Sequence, residues 1–441
     1  MSASRFSLFI VLMLAFIGGV NAYVHRRVSR AARLERRGRR ALAGAMAATL
    51  VAMLAGRFAD GRASERIASV LVGVSWDIEL AILIAASLLT LLDLAIGLGN
   101  LASWARRSAR AEPALLVAST APTLAGAAIP AGPSEPEIAL SLSSMEPPPI
   151  PSSPDSPGGE VPPTRREFMH RVAVGSALLV GGGSTAYGGL FGRHDYAIEE
   201  IVVRIPGLSP RLEGLTLVQL SDLHLGLFVG ASEMRAALEL TRRARPDLVV
   251  LTGDLIDHEP RYAPGLTELV QRLGELAPRG VFAIPGNHDH YTGIDAVLSA
   301  VTRGGGTVLR NANRLLGDAG GKLALLGVDD VTAIRGGGGP DLARAAAGVP
   351  DDVPRVLLCH NPVFFPEASG KVALQLSGHT HGGQVNLLVR PGDLVLPHGY
   401  VAGRYARDGS TLYVNRGFGT AGPPARIGAP PEVSRIVLVS A

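Results

Sequence analysis

LTLVQLSDLHLG (Leu215–Gly226) is an apolar run that ends abruptly in a short polar cluster. Its first six residues, Leu215–Leu220, carry no charge and are typical of a buried strand, and Asp222 and His224 follow directly. Alternate residues of an extended chain point the same way, so this pair can direct a carboxylate and an imidazole to one side. The segment therefore predicts a buried strand that delivers two metal-binding side chains at its end.

Four further polar clusters repeat this arrangement, each one after an apolar run. They are GDLID (Gly253–Asp257), GNHD (Gly286–Asp289), CHNP (Cys359–Pro362) and GHTHGG (Gly378–Gly383). Each cluster alone is an ordinary loop sequence. Together they gather Asp, Asn and His at strand ends, where core packing does not require them. The combination indicates a site that can hold two metal ions and still leave an acid for catalysis.

Strand and helix patterns alternate from about Tyr196 onward. Strands are also predicted at Leu248–Thr252, Val281–Ile284, Leu323–Val328, Val356–Cys359 and Val372–Leu376. Helices are predicted at Ser232–Arg245, with Ser232 as the N-cap, and at Gly265–Leu276. Helices between the early strands and close spacing of the late ones favour an α/β domain of two packed sheets flanked by helices.

The composition limits the range of functions. A chain of 441 residues exceeds one typical domain, and its net charge of +4 is modest. Its arginines lie beside apolar segments and do not alternate with aromatic residues, so no nucleic-acid partner is expected. Cys359 is the only cysteine, which excludes an intramolecular disulfide, and it is expected to pack in the core.

Three apolar segments precede the α/β pattern, at Phe6–Val24, Ala41–Phe58 and Ile67–Trp104. The arginine-rich segment His25–Arg40 lies between the first two and is expected to be cytoplasmic by the positive-inside rule. Residues 1–110 are therefore predicted to form a membrane region with about three transmembrane helices. A buried soluble helix is the alternative for the second segment.

Residues 111–163 are rich in Pro, Ser and Ala and have almost no aromatic or charged residues. Such a segment cannot bury a core, so we predict a disordered linker. The next segment, residues 164–192, begins with the arginine pair Arg165 and Arg166 and continues into an apolar, glycine-rich stretch.

This segment resembles a twin-arginine export signal, and an ordinary fourth transmembrane helix is the alternative. Because it contains no clear A-x-A cleavage site, we expect residues 164–192 to remain as a membrane anchor. Both interpretations place the domain over residues 193–441 outside the cytoplasm of a bacterial cell, at its inner membrane. The first also implies the twin-arginine export machinery as a partner.

The sequences of the five clusters and their order along the chain resemble the motifs of the calcineurin-like metallophosphoesterase superfamily. The resemblance begins near Ile201 and includes SGHTHGGQV (Ser377–Val385), YVNRGFGT (Tyr413–Thr420) and RIGAPPEV (Arg426–Val433). Within it, the chain is similar to membrane-associated bacterial phosphohydrolases in which a twin-arginine segment precedes the catalytic domain. The resemblance implies a four-layer αββα sandwich of two mixed sheets between helices, and hydrolysis of a phosphate ester.

The resemblance also implies seven ligands for two divalent metal ions. The first ion is assigned Asp222, His224 and His381. The second ion is assigned Asn287, His360 and His379. Asp254 is assigned to both ions. Mixed carboxylate, amide and imidazole ligands suit Mn, Fe or Zn better than Mg or Ca, and the implied nucleophile is a metal-bridging hydroxide.

The resemblance assigns catalytic roles to two further residues. It makes His288 the group that protonates the leaving oxygen or stabilises charge in the transition state. It makes Asp257 the residue that orients His288, with a plain loop residue as the alternative. For Asp289, the sequence favours a structural role in its loop over a catalytic one.

The remaining polar residues have no partner in the motifs. We expect His258, His290 and His398 to be exposed loop histidines. Arg416 and Arg426 lie in glycine-rich loops and are expected to be exposed, with a phosphate contact as the alternative.

The predicted function is hydrolysis of phosphomonoester or phosphodiester bonds by a membrane-anchored enzyme. Its location alone favours a lipid-linked or envelope phosphate ester. A non-catalytic metal-binding interaction module is one alternative. It is disfavoured because the sequence contains every predicted ligand and also His288 and Asp257. A transporter or sensor is another, which the sparse charge within the apolar segments disfavours.

Overall fold

The computed structural model describes residues 3–55, 65–110, 163–318 and 321–441. The linker predicted over residues 111–163 lies outside them, apart from its last residue. The chain divides into two compact units, one formed by Met1–Leu89 with Arg171–Ala441 and the other by Thr90–His170. The metal-binding clusters of the sequence all belong to the first unit.

Four helices precede the strands. They are α1 (Ala3–Ala31), α2 (Arg36–Ala55), α3 (Glu65–Arg110) and α4 (Arg165–Leu190). Within the described residues, one helical segment, Ile67–Ser108 of α3, is long and apolar enough to cross a membrane. The helix predicted for the third apolar segment is therefore present, and the number of membrane crossings stays a prediction.

Twelve strands, numbered in chain order, form two six-stranded sheets. The first sheet contains β1 (Ala197–Ile205), β2 (Thr216–Leu220), β3 (Leu248–Thr252), β4 (Val281–Ile284), β5 (Thr307–Val308) and β12 (Glu432–Ser440). Their spatial order is β1-β12-β2-β3-β4-β5, and only the β12–β2 pairing is antiparallel.

The second sheet is also mixed. It contains β6 (Ala312–Asp318), β7 (Gly321–Gly327), β8 (Arg355–Leu358), β9 (Leu374–Ser377), β10 (Gly403–Arg407) and β11 (Ser410–Val414). The order is β10-β11-β9-β8-β7-β6, with antiparallel pairing at each edge and parallel pairing between.

Seven short to medium helices connect the strands. They are α5 (Ala231–Ala244), α6 (Ala263–Leu276), α7 (Asn287–Thr292), α8 (Ile294–Arg303), α9 (Leu342–Ala345), α10 (Phe365–Ala368) and α11 (Gly392–Val395).

The central strands are buried on both faces. On β2, Leu217 belongs to a core cluster shared with Leu325 and Leu358 of the second sheet, so the two sheets pack on each other. Its neighbour Val218 belongs to a different cluster that includes Leu266 of α6. Burial on both faces explains why these strands appear in the sequence as continuous apolar runs. The predicted α/β class, with two mixed sheets and helices, is confirmed.

Two helix starts differ from the prediction. Helix α5 begins at Ala231 after Gly230, and the Glu233 carboxylate accepts the Gly230 N–H at 2.9 Å. Ser232 therefore lies inside the first turn, and its prediction as the N-cap is wrong. Helix α6 begins at Ala263, two residues early, because Pro264 fits the first turn of a helix.

Candidate metal centre

The five polar clusters follow the carboxyl ends of strands in both sheets. β2, β3 and β4 are parallel neighbours in the first sheet, and β8 and β9 are parallel neighbours in the second. Because parallel strands end at the same edge, their loops open on one side of the domain. The fold thus brings together side chains that are far apart in sequence.

The clusters hold five of the predicted metal ligands in left-handed backbone conformations. They are Asp222 (φ 51°), His224 (φ 48°), Asp254 (φ 52°), His379 (φ 73°) and His381 (φ 51°). Such conformations cost a non-glycine residue on the order of 1–3 kcal/mol and persist where the surrounding structure enforces them. Their concentration in these loops shows that the fold directs the side chains at the expense of local backbone stability.

Two glycines allow the loops to approach the carboxylates closely. A Cβ atom at Gly286 would lie 2.3 Å from Asp254 Oδ1, and one at Gly378 would lie 2.2 Å from Asp222 Oδ2. Any side chain at either position would displace a carboxylate. The glycines of these motifs are therefore required by packing around the acids.

The first group of donor atoms consists of Asp222, His224 and His381. Each offers one atom, and these atoms lie within 4.8 Å of one another. His381 Nε2 lies 3.1 Å from His224 Nε2 and 3.4 Å from Asp222 Oδ1. All three residues are buried. These are the three residues that the sequence assigned to one ion.

The second group consists of Asp254, His360 and His379, whose donor atoms also lie within 4.8 Å. His360 Nε2 lies 3.2 Å from Asp254 Oδ2 and 3.3 Å from His379 Nδ1. Asn287 Oδ1 lies 3.3 Å from the same His360 nitrogen. On its other side, His360 Nδ1 donates a hydrogen bond to the Thr252 carbonyl at 2.8 Å.

Asp254 lies between the two groups. Its Oδ2 atom is 3.2 Å from His360 Nε2 and 3.7 Å from His224 Nε2. Its Oδ1 atom accepts the backbone N–H of His288 at 2.8 Å, which fixes the orientation of the carboxylate. One oxygen is therefore within reach of both donor groups.

The donor atoms fit divalent cations. In its neutral form, His360 donates its Nδ1 hydrogen bond to Thr252 and presents a lone pair at Nε2 towards a carboxylate oxygen and an amide oxygen. Buried lone pairs that converge without a proton between them repel one another, and a cation removes this cost. The mixed nitrogen and oxygen set suits Mn, Fe or Zn.

His288 and Asp257 form a separate pair beside the first group. His288 Nδ1 lies 2.9 Å from the Asp257 carbonyl oxygen and 3.4 Å from its Oδ1, and the same Oδ1 lies 3.2 Å from His224 Nδ1. Burial lowers the pKa of His288, but the hydrogen bonds and charge of Asp257 and the charge of Asp254 outweigh it and raise the pKa to about 9. The imidazole is therefore cationic at neutral pH.

Burial alone would raise the pKa of Asp257. Hydrogen bonds from His224 and His288 outweigh burial and hold this pKa well below its usual range. The carboxylate is thus ionised and contacts both His224 and His288. These contacts fit the predicted orienting role, which stays a prediction.

Asp289 has the structural role that its sequence favours. It is buried, and its carboxylate accepts the backbone N–H groups of Leu255 at 2.8 Å, Ile256 at 3.2 Å and Gly286 at 2.9 Å. These bonds tie two of the polar loops together. Burial and the charge of Asp254 raise the pKa of Asp289 to about 6.

The three histidines expected to be exposed differ in their burial and contacts. The His258 ring stacks on His288, with 5.0 Å between centroids, and its Nε2 lies 3.6 Å from Asp257 Oδ1. His290 Nε2 lies 2.8 Å from Asp329 Oδ1. The expectation of exposed loop residues is therefore confirmed for His258 and His398 and wrong for the half-buried His290.

Arg426 was expected at the surface and is 1% exposed. It donates hydrogen bonds to the carbonyl oxygens of Gly419 at 2.9 Å, Arg416 at 2.8 Å and Ala429 at 3.1 Å, and its Nη2 lies 3.3 Å from His381 Nδ1. Burial lowers its pKa to about 10, so it stays charged. Arg426 therefore holds the C-terminal loops against His381, a predicted metal ligand.

Arg416 is also more enclosed than expected. Its side chain is 20% exposed and pairs with Glu199 at 2.6 Å and Glu432 at 3.3 Å. These carboxylates occupy the guanidinium, so the structure gives no support to a phosphate contact. Cys359 is buried, as predicted, and burial raises the pKa of its thiol.

Comparison with known proteins identifies the class. The family model for calcineurin-like phosphoesterases matches residues 215–383. The metallophosphoesterase YkuE of Bacillus subtilis (strain 168) is 32% identical over 286 residues, which cover 63% of this chain and 98% of that protein. A Bos taurus protein described as a transmembrane protein with metallophosphoesterase domain is 33% identical over 260 residues, 56% of this chain and 57% of that protein.

Among solved structures, a dimetal phosphatase from Danio rerio matches with a TM-score of 0.32 and 13% identity, covering 47% of this chain and 88% of that one. From the similarity to its curated relatives, the chain belongs to the calcineurin-like metallophosphoesterase family. It is a metal-dependent phosphoester hydrolase.

Proposed function

We propose that this chain is a membrane-anchored phosphoesterase that hydrolyses phosphomonoester or phosphodiester bonds with two divalent metal ions. Its catalytic domain is a four-layer αββα sandwich that carries the site at one edge of both sheets. The observation that carries the proposal is the position of Asp254 Oδ2, 3.2 Å from His360 Nε2 and 3.7 Å from His224 Nε2. An oxygen so placed suits a ligand shared by two ions.

The two donor groups supply the remaining ligands. Asp222, His224 and His381 hold the first ion. Asn287, His360 and His379 hold the second, with Asn287 assigned from its contact with His360. When bound, two such cations lower the pKa of a water molecule between them and neutralise charge on the phosphoryl oxygens.

His288 supplies the proton for the leaving oxygen. Its Nδ1 is engaged by Asp257 at 2.9 and 3.4 Å, so the other ring nitrogen is the one that gives a proton to the substrate. The hydrogen bonds and charge of Asp257 raise the pKa of the imidazole and so favour its protonated form. Asp257 is a positioning residue, because it fixes the ring and stabilises its charge.

The same loop connects the proton donor to the shared ligand. The His288 N–H donates to Asp254 Oδ1 at 2.8 Å, so the positions of the acid and of the bridging carboxylate are coupled. A shift of one would move the other. This coupling favours turnover over a purely structural metal site, which has no need of a charged histidine beside it.

A membrane location is supported by the long apolar segment of α3 and by similarity to a relative described as transmembrane. We further propose the topology predicted from sequence, with about three spans, a twin-arginine-like anchor over residues 164–192 and the domain over residues 193–441 outside the cytoplasm. This location favours a lipid-linked or envelope phosphate ester. A compartment-sensitive reporter fused after Ala441 should give an outside signal, and a cytoplasmic signal would overturn the topology.

The substitution Asp254→Asn tests the metal mechanism. It keeps the size of the side chain and its Oδ1 acceptor but removes the charge shared by the two donor groups. Turnover of generic mono- and diesters by the full chain with Mn²⁺ should fall by about 10³-fold. Asp351→Asn, at a fully exposed carboxylate, is the matched control and should change turnover by less than about two-fold. Retained turnover in Asp254→Asn would overturn the proposal.

A further inference from the structure

A pocket of about 320 Å³ opens beside the proposed proton donor. The residues that line it include Asp257 and His258, here called its polar wall, and Val72 and Trp76 of helix α3, its apolar wall. The loop Gly226–Phe228 also lines the pocket. The pocket therefore joins the catalytic loops to the helix that is long and apolar enough to cross a membrane.

Both residues of the polar wall, Asp257 and His258, contact the imidazole of His288 directly. The backbone carbonyl oxygen of Asp257 accepts a hydrogen bond from His288 Nδ1. The Oδ1 atom of Asp257 lies 3.4 Å from the same nitrogen. His258 stacks on the same imidazole, with rings inclined by 30°. A group that fills the pocket thus lies beside Asp257 and His258, which both contact the proposed proton donor His288.

The apolar wall is packed against the catalytic domain. A Cβ atom on Gly73 would lie 3.4 Å from Phe228 Cε1, and one on Gly422 would lie 3.8 Å from Trp76 Cη2. These are ordinary van der Waals distances, so α3 contacts the domain next to the pocket. Val72 is 5% exposed. The helix wall is thus a fixed part of the pocket.

The adjacent face of α3 is apolar and exposed. Val70, Leu71 and Val74 are 63%, 59% and 52% exposed, on the same turns that carry Val72 and Trp76. In a membrane this face suits contact with lipid chains. The pocket therefore lies beside a helix face that suits contact with lipid chains.

The charge of the pocket argues against a second anionic group. The described residues that line it include the carboxylates Asp257 and Glu259 and no Lys or Arg. A nucleotide or other pyrophosphate would place further negative charge near these acids, and the described lining offers no Lys or Arg to pair with it. An uncharged substituent suits the pocket better.

We propose that this pocket binds the alkyl or acyl chain of an amphiphilic phosphate ester whose phosphate lies at the metal centre. The proposal rests on the proposed function, since it names the substrate class for the same site. The volume is at the lower end of small-molecule sites and accommodates part of one chain. Helix α3 then contributes to substrate recognition in addition to anchoring the domain.

Calorimetric titration of the full, metal-loaded His288→Gln chain in uncharged nanodiscs tests this inference with hydrolysis of alkyl esters suppressed. Ethyl phosphate and octyl phosphate carry the same phosphate and differ in six methylene groups. Octyl phosphate should bind about thirty-fold more tightly or better after subtraction of its binding to empty nanodiscs. Equal dissociation constants would overturn the inference.

Variants locate the chain in the pocket. Trp76→Ala should reduce the ratio of the two dissociation constants by about ten-fold, because it removes an apolar wall. Val72→Thr, which keeps the volume and adds a hydroxyl, should reduce the same ratio by a smaller factor. Val74→Ala on the exposed face of α3 is the control and should leave the ratio unchanged. Identical ratios in all three variants would contradict the assignment.

Two further outcomes separate the claims. Phenyl phosphate that binds as tightly as octyl phosphate would assign the pocket to an aromatic ester and exclude a chain as its occupant. Absence of Asp254-dependent turnover, with the octyl preference and its loss in Trp76→Ala intact, would overturn the proposed function and leave the pocket as a binding site for amphiphilic phosphates.

Discussion

Replacement of His288 by glutamine should reduce turnover by an amount that depends on the leaving group. The imidazole is held by Asp257 and has a pKa of about 9, so at pH 7 nearly every molecule carries the proton. General acid catalysis contributes about 10²–10⁴-fold, and a loss of 10³-fold corresponds to about 4 kcal/mol of transition-state stabilisation. That loss is expected for an alkyl ester, whose strongly basic leaving oxygen needs the proton.

An aryl ester with a weakly basic leaving group needs little protonation. For such a substrate, His288→Gln should lower kcat/KM by no more than about ten-fold. The assay compares kcat/KM for the two esters in wild type, His288→Gln and the control His398→Gln, which replaces an exposed histidine. The control should stay within about two-fold of wild type for both esters.

The pH profile distinguishes positioning by Asp257 from a merely structural role. A proton donor is lost as pH rises through its pKa, and Asp257 raises the pKa of His288. Asp257→Asn should therefore move the alkaline limb of the profile to lower pH. Equal losses on both esters in His288→Gln, or an alkaline limb that does not move in Asp257→Asn, would refute the assignment of a proton donor.

Three further predictions concern the packing around the site. Burial raises the pKa of Asp329, but hydrogen bonds from its histidine and arginine partners outweigh it and lower the pKa to about 2. The ionised carboxylate stabilises the fold above about pH 4, and this stabilisation is lost as pH falls towards 2. Between these pH values the free energy of unfolding should therefore fall by roughly 1–2 kcal/mol less in Asp329→Asn than in wild type. Gly286→Ala should abolish metal binding, because its methyl group would lie 2.3 Å from Asp254 Oδ1, whereas Gly274→Ala, with open space in helix α6, should bind metal normally in the same calorimetric titration. Arg426→Met leaves several buried carbonyl groups unpaired and should lower the free energy of unfolding by about 3–5 kcal/mol in denaturant titrations.

Local patterns in the sequence predicted much of the fold. β2, β3 and β4 are buried on both faces, so their apolar runs stand out from the polar loops that follow. The predicted metal ligands lie in those loops, and parallel pairing within each sheet brings them to a common edge. The predicted metal ligands could be recognised in the sequence because Asp and His at the ends of strands have no role in core packing.

Contacts between distant segments could not be predicted in this way. Arg426 is an isolated arginine between alanine and isoleucine, and its burial depends on carbonyl groups that the folded loops supply. Trp76 and Val72 are more than 140 residues before the loop Gly226–Phe228, with which they line one pocket. Neither periodicity nor composition shows which side of an apolar helix packs against a domain. Such partners depend on tertiary packing.

The number of metal ions that turnover requires tests the central claim most directly. Metal-free full chain should be titrated with Mn²⁺ while hydrolysis of a generic ester is measured. If Asp254 joins two ions, turnover should rise with added metal and reach its plateau at two ions per chain. Full turnover without metal, or a plateau at one ion per chain, would contradict the account.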